Sequence, residues 1–246
     1  RVQINPNKIQ FFLHKSEKMV TKTDVYFYVP NLIGYLRIAL CMTTFYFAYT
    51  HPIIAAVSYA VSYILDAADG MAARALNQSS DYGAVLDMVT DRCATAIMIC
   101  IVGTLFPDYR IFFFAAMFND ITSHWFQMYS TLVSGERHHK KAKSKYALLR
   151  FYYGNRIFLF LMVLGSEAFL VSAYVLHWEK TLLPLQILRD INRVIFYVTL
   201  GFFALKQFIN LVQLLSASEK VIEFDLKEKN GVTEGTAGNS GKKGNQ

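Results

Sequence analysis

Charged side chains are scarce in this sequence. They make up 17% of its 246 residues, whereas hydrophobic residues make up 54%, and an average soluble domain carries roughly 25% charged residues. No polar stretch between residues 31 and 217 is long enough to enclose a separate soluble core. The composition therefore argues against a soluble enzyme or binding module and predicts one integral membrane domain.

Cysteine is rare as well, and no segment has the character of a nucleic-acid-binding surface. Cys41, Cys93 and Cys100 lie in apolar runs without the spacing of a disulfide framework or a zinc site. The net charge is +7, but the basic residues flank the apolar runs and form no basic face with interleaved aromatics. No basic segment is followed by a short apolar run and a cleavage site, so we expect no removable signal peptide.

Long apolar runs are what the sequence has in abundance. A helix of about 20 apolar residues crosses roughly 30 Å of hydrocarbon. Runs of this kind predict six transmembrane helices, at about residues 31–50, 52–75, 84–106, 110–133, 155–177 and 190–216. Prolines stand at three junctions between runs, where a proline can begin a helix without losing an internal hydrogen bond. The predicted fold class is therefore an all-α integral membrane protein.

The ends of the chain are polar, and the basic residues predict its orientation. Residues 1–24 form a polar N-terminal segment, residues 25–217 the membrane domain, and residues 218–246 a largely disordered tail without a core of its own. Lysines precede the first run and follow the last, and the segment ERHHKKAKSK separates the fourth run from the fifth. These connections are expected in the cytosol, with both termini. The basic segment either only sets this topology or also contacts anionic lipid headgroups.

Four aspartates lie within the second and third apolar runs. Asp66 and Asp69 are three residues apart, and Asp87 and Asp91 are four apart, so each pair shares one face of a helix. The short polar segment LNQSSDYG joins the two helices and makes them antiparallel neighbours. An unpaired carboxylate at mid-bilayer costs roughly 2.5–3.5 kcal/mol. We therefore expect cations among these acids, at a polar cavity near the cytosolic face.

Arg74 and Arg92 are too few to neutralise four carboxylates. A cluster with oxygen ligands alone suits Mg²⁺ or Mn²⁺ rather than zinc. Arg74 either snorkels to the interface or holds a phosphate. Small residues on the same helices, Gly70, Ala73 and Gly83, allow close approach either of a ligand or of another helix.

The spacing of these residues resembles a known family signature. The pattern D-x2-D-G-x2-A-R-x8-G-x3-D-x3-D, from Asp66 to Asp91, matches every fixed position of the signature of the CDP-alcohol phosphotransferase family. The segments VPNLIGYLRI, ARALNQ, GAVLDMVTDRCAT, SHWFQMYS and RFYYGNRIF are similar to those of eukaryotic phosphatidylinositol synthases within that family, across about residues 25–160. The chain is thus identified by resemblance as a member.

The resemblance implies transfer of a phosphatidyl group from CDP-diacylglycerol to myo-inositol, giving phosphatidylinositol and CMP. It implies two divalent ions, Mg²⁺ or Mn²⁺, a homodimer, and a location in the endoplasmic reticulum membrane. It also implies a metal site formed by Asp66, Asp69, Asp87 and Asp91. The CDP pocket it implies is shaped by Gly70, Ala73, Arg74 and Gly83. We assign to Asp91 the acceptance of the proton from the attacking hydroxyl.

Inositol is neutral and rich in hydroxyl groups, so its site needs fixed donors and acceptors. The candidate contacts to inositol or to a phosphate are Asn31, Arg37, Asp120, His124, Asn155 and Arg156. Asp120 and His124 are four residues apart on one face of the fourth predicted helix. His124 is equally consistent with a structural histidine in the bundle. Arg37 either contacts a phosphate or snorkels to the interface.

Other functions remain open at this stage. The aspartate signature does not separate inositol from serine, glycerol phosphate, choline or ethanolamine as the acceptor. An intramembrane prenyltransferase also holds Mg²⁺ on a diphosphate, although its motifs have different spacing. A cation transporter would use the acids as an ion path but gives the glycines and Arg74 no role. Nucleic acid is not an expected partner.

Overall fold

The computed structural model describes residues 21–134 and 145–237. Within these ranges the regular structure is helical, and they contain no strand. The predictions for residues 1–20, for most of the basic segment and for residues 238–246 lie outside the described residues.

The helices follow the predicted runs. They are α1 (Lys22–Tyr26), α2 (Val29–Phe47), α3 (Pro52–Ala75), α4 (Asp81–Leu105), α5 (Arg110–Val133), α6 (Ala147–Gly154), α7 (Arg156–His177), α8 (Glu179–Leu182) and α9 (Gln186–Ala237), with a 3₁₀ turn at Pro107–Tyr109. Each predicted span coincides with one long helix. Three of them, α3, α7 and α9, are long and apolar enough to cross a membrane. The protein is therefore an all-α membrane protein, whereas the count of six spans stays a prediction.

The short helices α1, α6 and α8 lie outside the predicted spans, and α9 is longer than predicted. Helix α6 lies in a stretch that was predicted as a connection, because a search for runs of about 20 apolar residues passes over an eight-residue helix. Its Leu149 and Tyr152 are buried. Helix α9 continues past the predicted end at residue 216 to Ala237, so the described part of the predicted disordered tail is helical. Glu and Lys favour helix after the apolar run has ended.

The described chain forms two compact units. The first contains residues up to Met42 together with Ser58–Thr90, and the second contains Thr43–Val57 and the residues from Asp91 onward. Helices α2, α3 and α4 each contribute residues to both units.

In the first unit, a tight turn joins α3 to α4. Asn77 adopts a left-handed φ of 53°, the conformation that commonly ends a helix and that asparagine tolerates better than most residues. Ser80 Oγ accepts a hydrogen bond of 3.0 Å from the backbone N–H of Gly83 and so caps α4. The side chain of Gln78 accepts a hydrogen bond of 2.8 Å from the N–H of Val29. The turn thereby fixes the ends of α3 and α4 beside the beginning of α2.

In the second unit, aromatic side chains pack α5, α7 and α9 together. The rings of Phe169 and Phe203 have centroids 4.7 Å apart, and Phe113 stacks on Phe169 at 6.3 Å. A Cβ added at Gly165 would lie 2.6 Å from Phe202 Cγ, so α7 meets this ring without a side chain. These contacts fix the frame that carries the polar residues of this unit.

Candidate active site

Arg37 occupies the centre of the aspartate cluster in the first unit. Its Nη1 lies 2.7 Å from Asp69 Oδ2 and 2.7 Å from Asp87 Oδ1, and its Nη2 lies 2.6 Å from Asp66 Oδ1. The arginine side chain is only 4% exposed, so it does not snorkel to an interface. The sequence analysis expected a cation among the acids but treated Arg37 only as a phosphate contact or an interfacial residue. Arg37 precedes Asp69 by 32 residues. Helix periodicity predicts contacts between residues three or four apart, so it does not predict this pair.

The same three carboxylates form a possible metal site. One oxygen each from Asp66, Asp69 and Asp87 lies within 4.8 Å of the others. Arg37 carries one positive charge against their three negative charges, which leaves an excess that a divalent cation would balance. A ligand set made only of carboxylate oxygens fits Mg²⁺ or Mn²⁺. These residues therefore fit the metal that the sequence predicted.

Asp91 is not part of this three-carboxylate cluster. It follows Asp87 by one turn of α4 and belongs to the second unit, where it is partly buried. Its predicted roles as a metal ligand and as the proton acceptor stay predictions.

A cavity of about 190 Å³ lies beside the cluster in the first unit. Asp69 and Asp87 line it, and so do all four residues predicted for the CDP pocket, namely Gly70, Ala73, Arg74 and Gly83. Asn31, a candidate phosphate contact, lines it too. The sequence analysis missed Gln78, Ser79 and Ser80, which add polar groups to the wall from the turn between α3 and α4. Their position in a short polar turn inside the signature, between Arg74 and Gly83, was the available clue.

The two signature glycines, Gly70 and Gly83, differ in how much space a side chain would have at each position. A Cβ at Gly83 would stand 2.7 Å from Asn31 Oδ1 and 3.2 Å from Ser80 Oγ. Asn31 is 1% exposed, and its side chain donates a hydrogen bond of 2.6 Å to the Val25 carbonyl, so it has little room to move. A Cβ at Gly70 would approach nothing closer than Arg74 Nη1, at 3.5 Å. Gly83 is required by packing, whereas Gly70 leaves the cavity open.

A second, smaller cavity lies in the second unit. Its volume is about 60 Å³, and its wall includes the predicted residues Asp120 and His124. The charged side chains of Arg92, Glu167 and Lys206 line it as well. The sequence analysis did not assign these three to a site. A lone charged residue inside a long apolar run is the feature that Glu167 and Lys206 share.

Hydrogen bonds connect the charged groups around this cavity. Asn210 Nδ2 donates to Asp120 Oδ1 at 2.9 Å, and Lys206 Nζ donates to Asn210 Oδ1 at 2.6 Å. His124 Nδ1 lies 2.7 Å from the Asp120 carbonyl oxygen, which only accepts, so Nδ1 carries the proton. His124 Nε2 is then the acceptor toward Arg92 Nη1 at 3.4 Å.

Asn155 and Arg156, two predicted inositol contacts, line neither of these cavities. Both are exposed. Asn155 Oδ1 accepts hydrogen bonds from the N–H groups of Ile157 at 3.1 Å and Phe158 at 3.0 Å, which makes Asn155 the N-cap of α7. The structure thus gives this side chain a structural role that the sequence analysis did not assign to it.

Comparison with known proteins shows the family of the chain. The profile of the CDP-alcohol phosphatidyltransferase family matches residues 27–185, so the chain belongs to this family of transferases, as its signature predicted. It is 38% identical over 221 residues to the CDP-diacylglycerol–inositol 3-phosphatidyltransferase of Schizosaccharomyces pombe, covering 84% of this chain and 93% of that protein. It is 37% identical over 207 residues to the Homo sapiens protein of the same name, covering 84% and 96%. The Arabidopsis thaliana CDP-diacylglycerol–inositol 3-phosphatidyltransferase 1 is 35% identical over 215 residues, covering 85% and 94%. No solved structure matches the chain.

Proposed function

We propose that this protein transfers the phosphatidyl group of CDP-diacylglycerol to myo-inositol, releasing CMP. One observation carries the proposal: two of the signature acids line one cavity together with the small residues and the arginine of the signature. Asp69, Asp87 and Arg74 line it, in a chain similar over most of its length to relatives named for this reaction.

The donor diphosphate binds at the cavity of the first unit. Asp66, Asp69 and Asp87 would hold a divalent ion, and the resemblance to the family signature implies a second ion with Asp91 as a further ligand. Mg²⁺ or Mn²⁺ bound there would offset the charge of the diphosphate and of the departing CMP. Gly70 leaves room for the nucleotide, since the nearest atom to its missing Cβ is 3.5 Å away. Arg74, at the same wall, is suited to a bidentate contact with a phosphate.

Asp91 serves as the proton acceptor. An inositol hydroxyl oxygen bonds to the phosphorus that carries the diacylglycerol, the bond from that phosphorus to the CMP oxygen breaks, and the hydroxyl proton passes to Asp91. An unperturbed aspartate has a pKa of about 3.9 and is a weak base toward an alcohol. Electrostatic stabilisation of the phosphate charge therefore has to supply much of the rate enhancement.

The membrane arrangement is part of the proposal. Six spans and two cytosolic termini put the signature near the cytosolic face, where a lipid donor and a water-soluble acceptor can both reach it. The apolar helices α3, α7 and α9 support a membrane location. A location in the endoplasmic reticulum membrane and a homodimer are also proposed, as the resemblance to the eukaryotic members of the family implies.

Serine, glycerol phosphate, choline and ethanolamine are the competing acceptors within the family. Family membership leaves the prenyltransferase and the cation transporter without support.

The test is CMP release by purified protein in detergent with CDP-diacylglycerol and Mg²⁺. Each acceptor is supplied in turn, beside a reaction without acceptor. We expect release with inositol alone, and a loss of about 10²–10⁴-fold in Asp91→Asn, the range typical of general acid–base groups. Release with another acceptor would replace inositol in the proposal, and an unchanged Asp91→Asn would remove the assigned base.

A further inference from the structure

We infer that Gln78 and Asn31 select cytosine as the base of the donor nucleotide. The inference rests on the proposed function and specifies how the cavity of the first unit recognises CDP-diacylglycerol. Both residues line this cavity, which lies entirely within one unit. Its volume of about 190 Å³ corresponds to on the order of a dozen waters, which leaves room for a pyrimidine ring.

The turn between α3 and α4 lies at a suitable distance from the carboxylates to hold a base. Asp69 precedes the end of α3 at Ala75 by six residues, and six residues rise about 9 Å along a helix. A ribose separates the edge of a base from the diphosphate over a similar distance. Gly70 and Ala73 line the cavity between these two ends, where small residues leave room for the sugar. A diphosphate at the carboxylates therefore directs the base toward Gln78.

Gln78 presents a donor group to this cavity. Its Oε1 accepts a hydrogen bond of 2.8 Å from the Val29 N–H. Because a backbone N–H only donates, this bond fixes the orientation of the amide, with the oxygen toward Val29. Among the described residues, Gln78 Nε2 has no hydrogen-bond partner. The part of the side chain that is left to contact a ligand is thus an amide nitrogen, which only donates.

Asn31 presents an acceptor on the same wall. Its Nδ2 donates a hydrogen bond of 2.6 Å to the Val25 carbonyl, which fixes which end of this amide is nitrogen and which is oxygen. Asn31 Oδ1 lies 2.7 Å from the position of a Cβ at Gly83, another residue of the cavity wall. Asn31 is 1% exposed, so packing holds this orientation. Since an amide oxygen only accepts, its ligand is an N–H or O–H group rather than a phosphate oxygen.

The two groups match the pairing edge of cytosine. Cytosine carries an amino group that donates, next to a ring nitrogen, N3, that accepts. The amino group would donate to Asn31 Oδ1, and N3 would accept from Gln78 Nε2. In uracil a carbonyl oxygen replaces the amino group and N3 carries a hydrogen, so both contacts would place like groups against each other. A site whose polar groups are fixed for one pattern of hydrogen bonds strongly rejects a base that cannot form it.

Nucleotide binding, measured by titration calorimetry in detergent with Mg²⁺, tests the inference. CMP and UMP share the sugar and the phosphate and differ only at the base edge, so the ratio of their dissociation constants isolates base recognition. We expect the wild-type protein to bind CMP at least about tenfold more tightly than UMP, because two hydrogen bonds are lost together. Equal affinities for CMP and UMP would overturn the inference.

The variant Gln78→Glu changes the donor and keeps the contact to the backbone. One carboxylate oxygen can still accept from the Val29 N–H, so the melting temperature should stay close to that of the wild type. The other oxygen presents an acceptor to N3, which suits uracil better than cytosine. The added negative charge weakens both nucleotides alike, so their ratio is compared. We expect the preference for CMP over UMP to fall by at least about tenfold.

The matched control is Gln186→Glu, the same substitution at an exposed glutamine at the beginning of α9. It should keep the wild-type preference for CMP. An unchanged preference in folded Gln78→Glu would contradict the assigned role of Gln78.

Two base analogues test each contact separately. The analogue 3-deaza-CMP lacks the N3 acceptor, and the pyrimidin-2-one analogue of CMP lacks the amino group. We expect the wild-type protein to bind each at least about fivefold more weakly than CMP. In Gln78→Glu the penalty for 3-deaza-CMP should largely disappear while the other penalty stays, because only the first contact is already gone. A purely structural effect of the substitution would leave both penalties unchanged.

Failure of this inference is separable from failure of the proposed function. If the wild-type protein releases no CMP with inositol, the proposed function itself is wrong. If it does release CMP but binds UMP as tightly as CMP, base selection by Gln78 and Asn31 is wrong and the proposed function stands. Equal binding of CMP and 3-deaza-CMP by the wild type would also overturn the role of Gln78, even if Gln78→Glu failed to fold.

Discussion

The guanidinium of Arg37 lies 2.7 Å from the carboxylate of Asp69, and the two side chains are only 4% and 10% exposed. The same guanidinium also contacts Asp66 and Asp87. This contact supplies part of the compensating charge that acids within membrane helices require. A metal ion bound to these three carboxylates would therefore compete with Arg37 for their oxygens.

Replacing Arg37 should make stability depend on metal. In Arg37→Gln the three carboxylates lose their cation, and removal of one partner from a buried ion pair costs about 3–5 kcal/mol. Because Asp66 and Asp87 are 38% and 47% exposed, we expect the lower end of that range. Thermal unfolding in detergent, with EDTA and then with Mg²⁺, measures the effect. Mg²⁺ should restore more stability to Arg37→Gln than it adds to the wild type.

The control for that measurement is Arg110→Gln, at an exposed arginine. It should behave as the wild type in both solutions. An equal Mg²⁺ response in Arg37→Gln and the wild type would contradict competition between Arg37 and the metal.

Metal binding itself should depend on Asp69. Asp69 is the most buried member of the three-carboxylate cluster, so its oxygen cannot readily be replaced by water. We expect Asp69→Asn to weaken Mn²⁺ binding, measured by electron paramagnetic resonance without any substrate, by at least about tenfold. Asp108→Asn, at an exposed aspartate in the 3₁₀ turn, is the control. Unaltered Mn²⁺ affinity in Asp69→Asn would argue against a metal at these three carboxylates.

The two signature glycines should respond differently to alanine. In Gly83→Ala the new Cβ meets Asn31 Oδ1 at 2.7 Å, and such overpacking costs about 1–3 kcal/mol. In Gly70→Ala the nearest contact is an ordinary 3.5 Å to a flexible arginine, so stability should be kept. Since that methyl group enters the proposed donor cavity, KM for CDP-diacylglycerol should rise instead. Melting temperatures and donor KM values check both statements, and equal destabilisation would refute the distinction.

Asn155 should matter for folding rather than for acceptor binding. Asn155→Ala removes the cap from the N–H groups of Ile157 and Phe158, which typically costs about 1 kcal/mol. Asn155→Asp keeps an oxygen in place and should retain most of the stability. We expect KM for inositol to be unchanged in both variants. A selective rise in that KM would restore the contact predicted from sequence.

Local patterns explain why some of the molecule was predictable. Apolar runs located the six long helices because a helix of membrane length requires about 20 consecutive, mostly apolar residues. The polar turn at Asn77 and Ser80 is likewise a local feature. The short helix α6 was missed because it is amphipathic and far below membrane length. The end of α9 was missed because the helix continues with polar residues after the apolar run has ended.

The sequence by itself determined the family, the positions of the six long helices and the four signature aspartates. Their spacings are local, and helix geometry converts local spacing into a shared face. Only the tertiary structure decided which cation meets the acids and which polar residues share a cavity. Arg37 and Asp87 are 50 residues apart, and Asp120 and Asn210 are 90 apart. Such pairs are selected by the packing of whole helices and not by the spacing along any one of them.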